Sequence, residues 1–152
     1  IDTAHSYLND INYINLLNDH EKEIQSANHE NANLMGYIKK EWDLPMKLKT
    51  LNHNFDVFDD SRIVTINLPG HTPGSIGLLV NLEKNRFVIA SDALSLERNL
   101  DKEEVPKNAW NPQLILKSYE ELKKIKKSGY IIVCGHDDNQ WKNNLDMGVI
   151  YN

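Results

Sequence analysis

The chain has 152 residues, of which 40% are hydrophobic and 26% charged, and this composition is that of a folded globular domain rather than a disordered segment. No apolar run approaches the roughly 20 residues that a membrane-spanning helix needs, so we expect no membrane partner. The formal net charge of -5 disfavours nucleic acid as a partner. The single cysteine, Cys134, can form no disulfide within the chain, which favours a reducing compartment and a cytoplasmic location.

Residues 1–50 are predicted to be mainly helical. In the first helical stretch, apolar residues recur at a spacing of three, at Leu8, Ile11, Ile14 and Leu17. A second helical stretch follows the polar residues 26–33. Pro45 ends it, because the residue before a proline avoids the helical backbone conformation.

From residue 55 onward, short apolar runs predict β-strands. These runs lie at residues 55–58, 62–68, 76–82, 86–90 and 130–134. The last run is continuously apolar, which is typical of a strand buried in a sheet. We expect a turn at residues 59–61, a hairpin loop at 83–85 and a polar loop at 94–110.

A helix is predicted directly after that polar loop. Asn111 is a suitable N-cap, Pro112 suits the first helical position, and Gly129 follows the end. The apolar stripe of this helix consists of Ile115, Tyr119, Leu122 and Ile125. Its last turns carry a group of lysines that we interpret as a solvated face rather than a partner-binding patch, namely Lys123, Lys124, Lys126 and Lys127.

Three of the predicted strands are followed by a residue that can bind a metal ion. They lead into Pro-Gly-His71-Thr-Pro-Gly-Ser, Ser-Asp92 and Gly-His136-Asp. In layered α/β proteins the carboxyl ends of strands lie along one edge of a sheet, where ligand sites form, so His71, Asp92 and His136 are expected to converge. Each motif alone also has a simpler interpretation, a tight turn for the histidines and a helix N-cap for Asp92.

Together, two imidazoles and a carboxylate suit a zinc or iron hydrolytic centre, in which the carboxylate is able to bridge two ions. Such a centre activates water, so no serine or cysteine nucleophile is required. Cys134 lies within an apolar strand and is predicted to be buried rather than reactive.

In this order, the motifs resemble those of the metallo-β-lactamase superfamily. Within it, the sequence is similar to the N-acyl-homoserine lactonase branch, through Glu-Glu-Val-Pro106, the Asn-Pro112 helix start and Ile-Ile-Val-Cys-Gly-His136-Asp. The resemblance implies an α/β fold, the later part of an αβ/βα sandwich, in which two sheets pack face to face with helices outside. Residues 1–152 would then form a single incomplete metallo-hydrolase domain, with residues 55–152 supplying strands, metal loops and a covering helix.

The resemblance also implies a mechanism. His71 would bind a first metal ion, His136 a second, and Asp92 would bridge both and serve catalysis, with Asp137 beside them. The two divalent ions would be zinc, with iron or manganese as alternatives. A metal-bridging hydroxide would hydrolyse a small-molecule lactone or other ester, and quorum quenching would be the biological consequence.

Two features depart from the family pattern. The His-x-His-x-Asp-His motif, which supplies most remaining ligands, is not intact. In one register Asp2 is its aspartate, a metal ligand and catalytic residue, and Thr3 stands where the final histidine is expected; in the other, the motif lies wholly upstream. Ser95 replaces the tyrosine that the lactonase branch places near the substrate carbonyl. The remaining histidines lack ligand spacing and are predicted to be surface or capping residues: His5, His20, His29 and His53.

An incomplete domain predicts apolar sheet faces without a cover. We expect Ile63, Leu78 and Ile132 to be partly exposed, so that the natural protein is longer or the chain associates, for example as a homo-oligomer. The chain could be inactive by itself. Two other functions are consistent with the sequence: a catalytically silent binding or scaffold protein that keeps the fold, and a thioesterase of the glyoxalase II type.

Overall fold

The computed structural model describes residue 51, residues 54–143 and residues 150–151. The helices predicted for residues 1–50, the position of Asp2 and the four other histidines lie outside these residues. The described part contains four strands, β1 (Ile63–Asn67), β2 (Ile76–Asn81), β3 (Arg86–Ser91) and β4 (Ile131–Cys134), and three helices, α1 (Glu97–Lys102), α2 (Pro112–Lys127) and α3 (Asp138–Asn143). None of these helices is long and apolar enough to cross a membrane.

The four strands form one sheet in the order β1-β2-β3-β4. β2 is antiparallel to both β1 and β3, and β3 is parallel to β4. Strands β1, β3 and β4 therefore run in the same direction, and their carboxyl ends lie at one edge of the sheet. The hairpin predicted at residues 83–85 is present, closed by a hydrogen bond from the Leu82 N–H to the Asn85 carbonyl, 2.9 Å.

Helix α2 covers one face of the sheet. The Asn111 side chain accepts a hydrogen bond from the Leu114 N–H, 3.1 Å, and Pro112 occupies the first turn, so the predicted helix start is confirmed. The apolar stripe packs against alternate residues of β3 and β4. The resulting core contains Leu68, Val88, Ala90, Ile115, Tyr119, Leu122, Ile132 and Cys134. The last turns of α2 carry lysines that are paired with glutamates: Lys123 with Glu103, Lys124 with Glu121 and Lys126 with Glu97.

The opposite face of the sheet is more open. Ile131 is 44% exposed, whereas its neighbour Ile132 is 5% exposed, because successive residues of a strand point to opposite faces. The expectation that Ile132 would be uncovered is therefore wrong, since this side chain points to α2. Ile63 and Leu78, which lie on the open face, are half-buried. The prediction that β4 is buried throughout also fails, because α2 covers one face.

Local hydrogen bonds explain three further differences from the prediction. The strand expected at residues 55–58 is reduced to one bridge, Asp56 to Val64, because the Asp56 carboxylate accepts the N–H groups of Phe58 and Ser61 and bends the chain. The polar loop contains α1, whose start is stabilised by a hydrogen bond from the Leu96 N–H to the Asn99 side chain, 3.1 Å. Helix α3 had no counterpart in the prediction.

Candidate metal centre

Three side chains meet at the sheet edge where β1, β3 and β4 end. One oxygen of Asp92, Oδ1, lies 2.7 Å from Nε2 of His136. The other oxygen, Oδ2, lies 3.8 Å from Nε2 of His71. The carboxylate thus stands between two imidazoles and presents a different oxygen to each. The predicted convergence of these three residues is present in the structure.

The loop that carries His71 connects β1 to β2 and is attached to the start of α2. The His71 carbonyl accepts the Trp110 N–H, 3.1 Å, and the Gly70 carbonyl accepts the Asn111 N–H, 2.9 Å. Gly70 has φ +138°, and a Cβ there would lie 2.5 Å from the backbone nitrogen of Ile115. Only glycine suits this conformation and this close approach. The His71 backbone is therefore fixed by the core of the molecule.

Asp92 follows an irregularity at the end of β3. The ladder between β3 and β4 shifts register between Ile89 and Ser91, and Ser91 has the left-handed value φ 49°. A bulge of this kind redirects the strand and re-aims the side chains that follow it. A Cβ on Gly135 would lie 2.7 Å from the Ser91 carbonyl oxygen and 3.1 Å from Oδ1 of Asp92, so glycine at this position lets the two strand ends touch.

The turn that carries His136 rests on the segment after Asp92. The Gly135 N–H donates to the Leu94 carbonyl, 3.0 Å, and the His136 N–H donates to the Ser95 carbonyl, 2.9 Å. The His136 side chain is 69% exposed, compared with 22% for His71. The two imidazoles thus reach the same carboxylate from different environments.

Asp137 was expected beside the metal ligands, and its carboxylate accepts backbone N–H groups. Oδ2 accepts from Glu97 at 2.9 Å, and Oδ1 accepts from Asn139 at 3.1 Å and Gln140 at 3.2 Å. The hydrogen bond from Glu97, the largest contribution, lowers the pKa of the Asp137 carboxyl below its usual value. Asp137 therefore joins the first turns of α1 and α3 as a carboxylate.

The donor set suits divalent metal ions in type, because imidazole nitrogens and carboxylate oxygens are common zinc ligands. Two ligands of one tetrahedral zinc ion lie about 3.3 Å apart for bonds near 2 Å, and the two Asp92–histidine distances, 2.7 Å and 3.8 Å, fall on either side of this value. Within the described residues, no group of three such side chains closes a metal site. Each Asp92–histidine pair alone offers two donor side chains, fewer than the three or four protein ligands of a zinc site.

The two ring nitrogens of His71 differ in their surroundings. Among the described residues, its Nδ1 is the one buried side-chain nitrogen or oxygen without a hydrogen-bond partner. Such atoms are normally paired, and the second nitrogen of a metal-bound histidine usually donates a hydrogen bond. Among the described residues, the His71 ring therefore lacks the outer hydrogen-bond partner that a metal-bound histidine usually has.

An open pocket of about 500 Å³ adjoins His136. It lies between α1 and α3, and its lining includes Leu96, Arg98, Asp101 and Asn139. The sequence prediction missed this pocket because it assigned neither helix. The acidic and amide residues at helix starts, Glu97 and Asp138 among them, were the available signal.

Comparison with known proteins supports the same fold. No family model matches the sequence. An N-acyl homoserine lactonase from Rhizobium radiobacter is 30% identical over 115 residues, which are 71% of this chain and 44% of the relative. An N-acyl homoserine lactonase from Bacillus cereus is 31% identical over 121 residues, which are 78% of this chain and 48% of the relative.

Among solved structures, an N-acyl homoserine lactone hydrolase with N-hexanoyl-L-homoserine bound at its catalytic metal centre matches with a TM-score of 0.66 and 30% identity, over 80% of this chain and 46% of that chain. Over the part that it covers, the chain has the metallo-β-lactamase fold and is similar in sequence to N-acyl homoserine lactonases. It spans 44% to 48% of the length of these curated relatives. A more distant superfamily hydrolase, 18% identical with a TM-score of 0.59, shares the fold.

Proposed function

We propose that the protein is a metal-dependent hydrolase that opens lactones or related small esters. The observation that carries the proposal is the Asp92 carboxylate between the imidazoles of His71 and His136, with one oxygen directed to each. A carboxylate in this arrangement suits the bridging position between two cations.

Each of these residues has a separate task in the proposal. His71 and Asp92 would hold the first ion, and His136 and Asp92 would hold the second. Asp2, which lies outside the described residues, is proposed as a further ligand and catalytic residue. When bound, a pair of divalent ions, zinc in first place, supplies Lewis acidity and a reactive water at neutral pH. The anionic Asp92 would offset the repulsion between the two cations.

The proposed substrate class follows from the relatives. The two curated relatives compared above are N-acyl homoserine lactonases, and a solved relative is a quorum-quenching N-acyl homoserine lactone lactonase; we propose the same class for this protein. These relatives favour lactone hydrolysis over a thioesterase and over a silent scaffold. Ser95 presents a shorter hydroxyl than tyrosine, so we expect its contribution to substrate binding to be small. We also propose a cytoplasmic location, consistent with the single cysteine.

The test is ring opening by the intact encoded protein, loaded with zinc and followed by proton release from N-hexanoyl homoserine lactone. We expect hydrolysis that falls about 1,000-fold or more in Asp92→Ala, because loss of one group acting on the reacting charge typically costs a factor of this order. Asp138→Ala is the matched control, since its side chain is 89% exposed. Metal-loaded protein that hydrolyses a thioester and no lactone would contradict the substrate class. Metal-free, folded, inactive protein would favour the scaffold.

A further inference from the structure

Two side chains next to His136 have no part in the proposed chemistry, yet they determine how its turn is held. Asp137 follows His136 directly, and Gln140 lies one helical turn further along α3. Both are buried. A buried polar side chain on a short surface helix needs partners, and the partners of these two lie on different elements.

Gln140 closes the outer edge of β4. Its Oε1 accepts the Cys134 N–H at 2.8 Å, and its Nε2 donates to the Ile132 carbonyl at 2.7 Å. These two backbone groups lie on the edge of β4 opposite β3. A further strand could form hydrogen bonds at this edge if Gln140 did not occupy it. The amide therefore fixes α3 to the last residues of β4, immediately before the His136 turn.

Asp137 fixes the same turn from its other side. Its carboxylate accepts the N–H of Glu97, at the start of α1, as well as two N–H groups of α3. The segment between Cys134 and Gln140 is thus attached at both ends, to β4 through the amide and to α1 through the carboxylate. The exposed His136 ring projects from the middle of this segment.

We propose that Asp137 and Gln140 are positioning residues, which hold the His136 turn so that Nε2 of His136 faces Asp92. The inference rests on the proposed function, because the direction of the ring matters to the extent that His136 holds a metal ion. His71 needs no such device, since its loop is already packed against α2.

The test separates the two tasks of Asp137. In Asp137→Ser the serine hydroxyl still caps α3, because serine is a good N-cap residue, but it is too short to reach the Glu97 N–H as well. Asp138→Ser is the matched control, with the same change at a side chain that is 89% exposed. Gln140→Met provides a second variant, which keeps the volume and removes both hydrogen bonds to β4.

Cobalt is the probe, titrated into the metal-free intact protein and followed by its visible absorption. We expect two ions per chain in the unchanged protein. In Asp137→Ser and Gln140→Met we expect one of the two to bind about 10-fold more weakly. This is the lower end of the effect of removing a group bonded directly to a metal ligand, because these side chains hold the backbone of the turn rather than the ring. The other ion and the Asp138→Ser control should be unchanged within about twofold. A merely structural defect would instead weaken both ions together.

Equal affinity for both ions in the folded variants would overturn the positioning role and leave the proposed function standing. If Asp137→Ser does not fold, Gln140→Met decides by the same titration. If the unchanged protein, folded by circular dichroism, binds no cobalt, the proposed function and the positioning role both fail.

Discussion

The two histidine-bearing turns of this molecule reach one carboxylate by different means. His71 is 22% exposed, and its loop is packed against the first turn of α2; His136 is 69% exposed, and its turn is held by hydrogen bonds from side chains of a short surface helix. The first position is determined by the core, and the second by polar contacts at the surface. We therefore expect substitutions near His71 to lower the stability of the fold before they alter the site, and substitutions near His136 to alter the site before they lower the stability.

The largest effect is expected for Gly70→Ala. The new Cβ would lie 2.5 Å from the Ile115 backbone nitrogen, at a φ of +138° that alanine avoids, so we expect a loss of about 3 kcal/mol or more in the free energy of unfolding. Urea denaturation measures this loss. Gly129→Ala is the control: its φ is +93°, but its Cβ would meet the flexible end of Arg86, so about 1 kcal/mol is expected. Equal losses would show that the His71 loop is not packed as described.

Gly135→Ala should weaken metal binding more than it lowers the stability of the fold, the reverse of what is expected for Gly70→Ala. A Cβ would lie 2.7 Å from the Ser91 carbonyl oxygen and 3.1 Å from Oδ1 of Asp92, so it must push the strand ends apart. We expect a stability loss of about 1–2 kcal/mol, smaller than for Gly70→Ala, with at least tenfold weaker cobalt binding because Asp92 and His136 separate. Unfolding and cobalt titration on the same sample check both. Unchanged cobalt affinity would contradict the predicted order.

A smaller effect is expected where the His71 loop is attached to α2 through a hydroxyl. The buried Ser118 donates to the Pro69 carbonyl, 2.8 Å, and Ser118→Ala leaves that carbonyl without this partner, which costs about 1 kcal/mol. Ser128→Ala, at an exposed position at the end of α2, should cost less than about 0.5 kcal/mol. Chemical denaturation of the pair measures the difference, and two equal values would count against the attachment.

The smallest effect is expected in a labelling experiment on the thiol of Cys134. This buried residue is the last of β4 and precedes the exposed His136 turn. Burial raises the pKa of its thiol to about 12, so the thiol stays protonated at pH 8 and the reactive thiolate is scarce. We expect a disulfide reagent to leave the thiol of the native chain unmodified during the time in which it reacts completely with the chain unfolded in urea. Rapid labelling of the native chain would place the strand end at the surface.

The strands and α2 follow from local sequence patterns. The Asn-Pro112 start, the apolar stripe and the alternation around Val88 each involve neighbouring residues, so they are visible in the sequence. The approach of His71, Asp92 and His136 could also be predicted, because a topological rule connects strand direction with the edge where ligands gather. The convergence of these three side chains is therefore predictable from the sequence alone.

Other features depend on contacts that no local pattern reveals. Asp137 reaches Glu97, 40 positions away along the chain, and Gln140 binds the backbone of β4 through an edge that exists only in the assembled sheet. Ile132 is buried and Ile131 exposed because Ile132 lies on the face of β4 that packs against α2. The sequence does not indicate which of these two adjacent isoleucines faces the helix. Helix α1 begins without a usual N-cap residue, which is why the sequence predicts a loop there.

Metal content tests the central claim most directly, namely that His71, Asp92 and His136 share a pair of cations. Elemental analysis of the intact protein, purified without chelator, should find about two divalent ions per chain, and fewer than one in Asp92→Ala, because removal of the shared carboxylate weakens both sites. Folded protein without metal, or an Asp92→Ala variant that keeps both ions, would contradict the account.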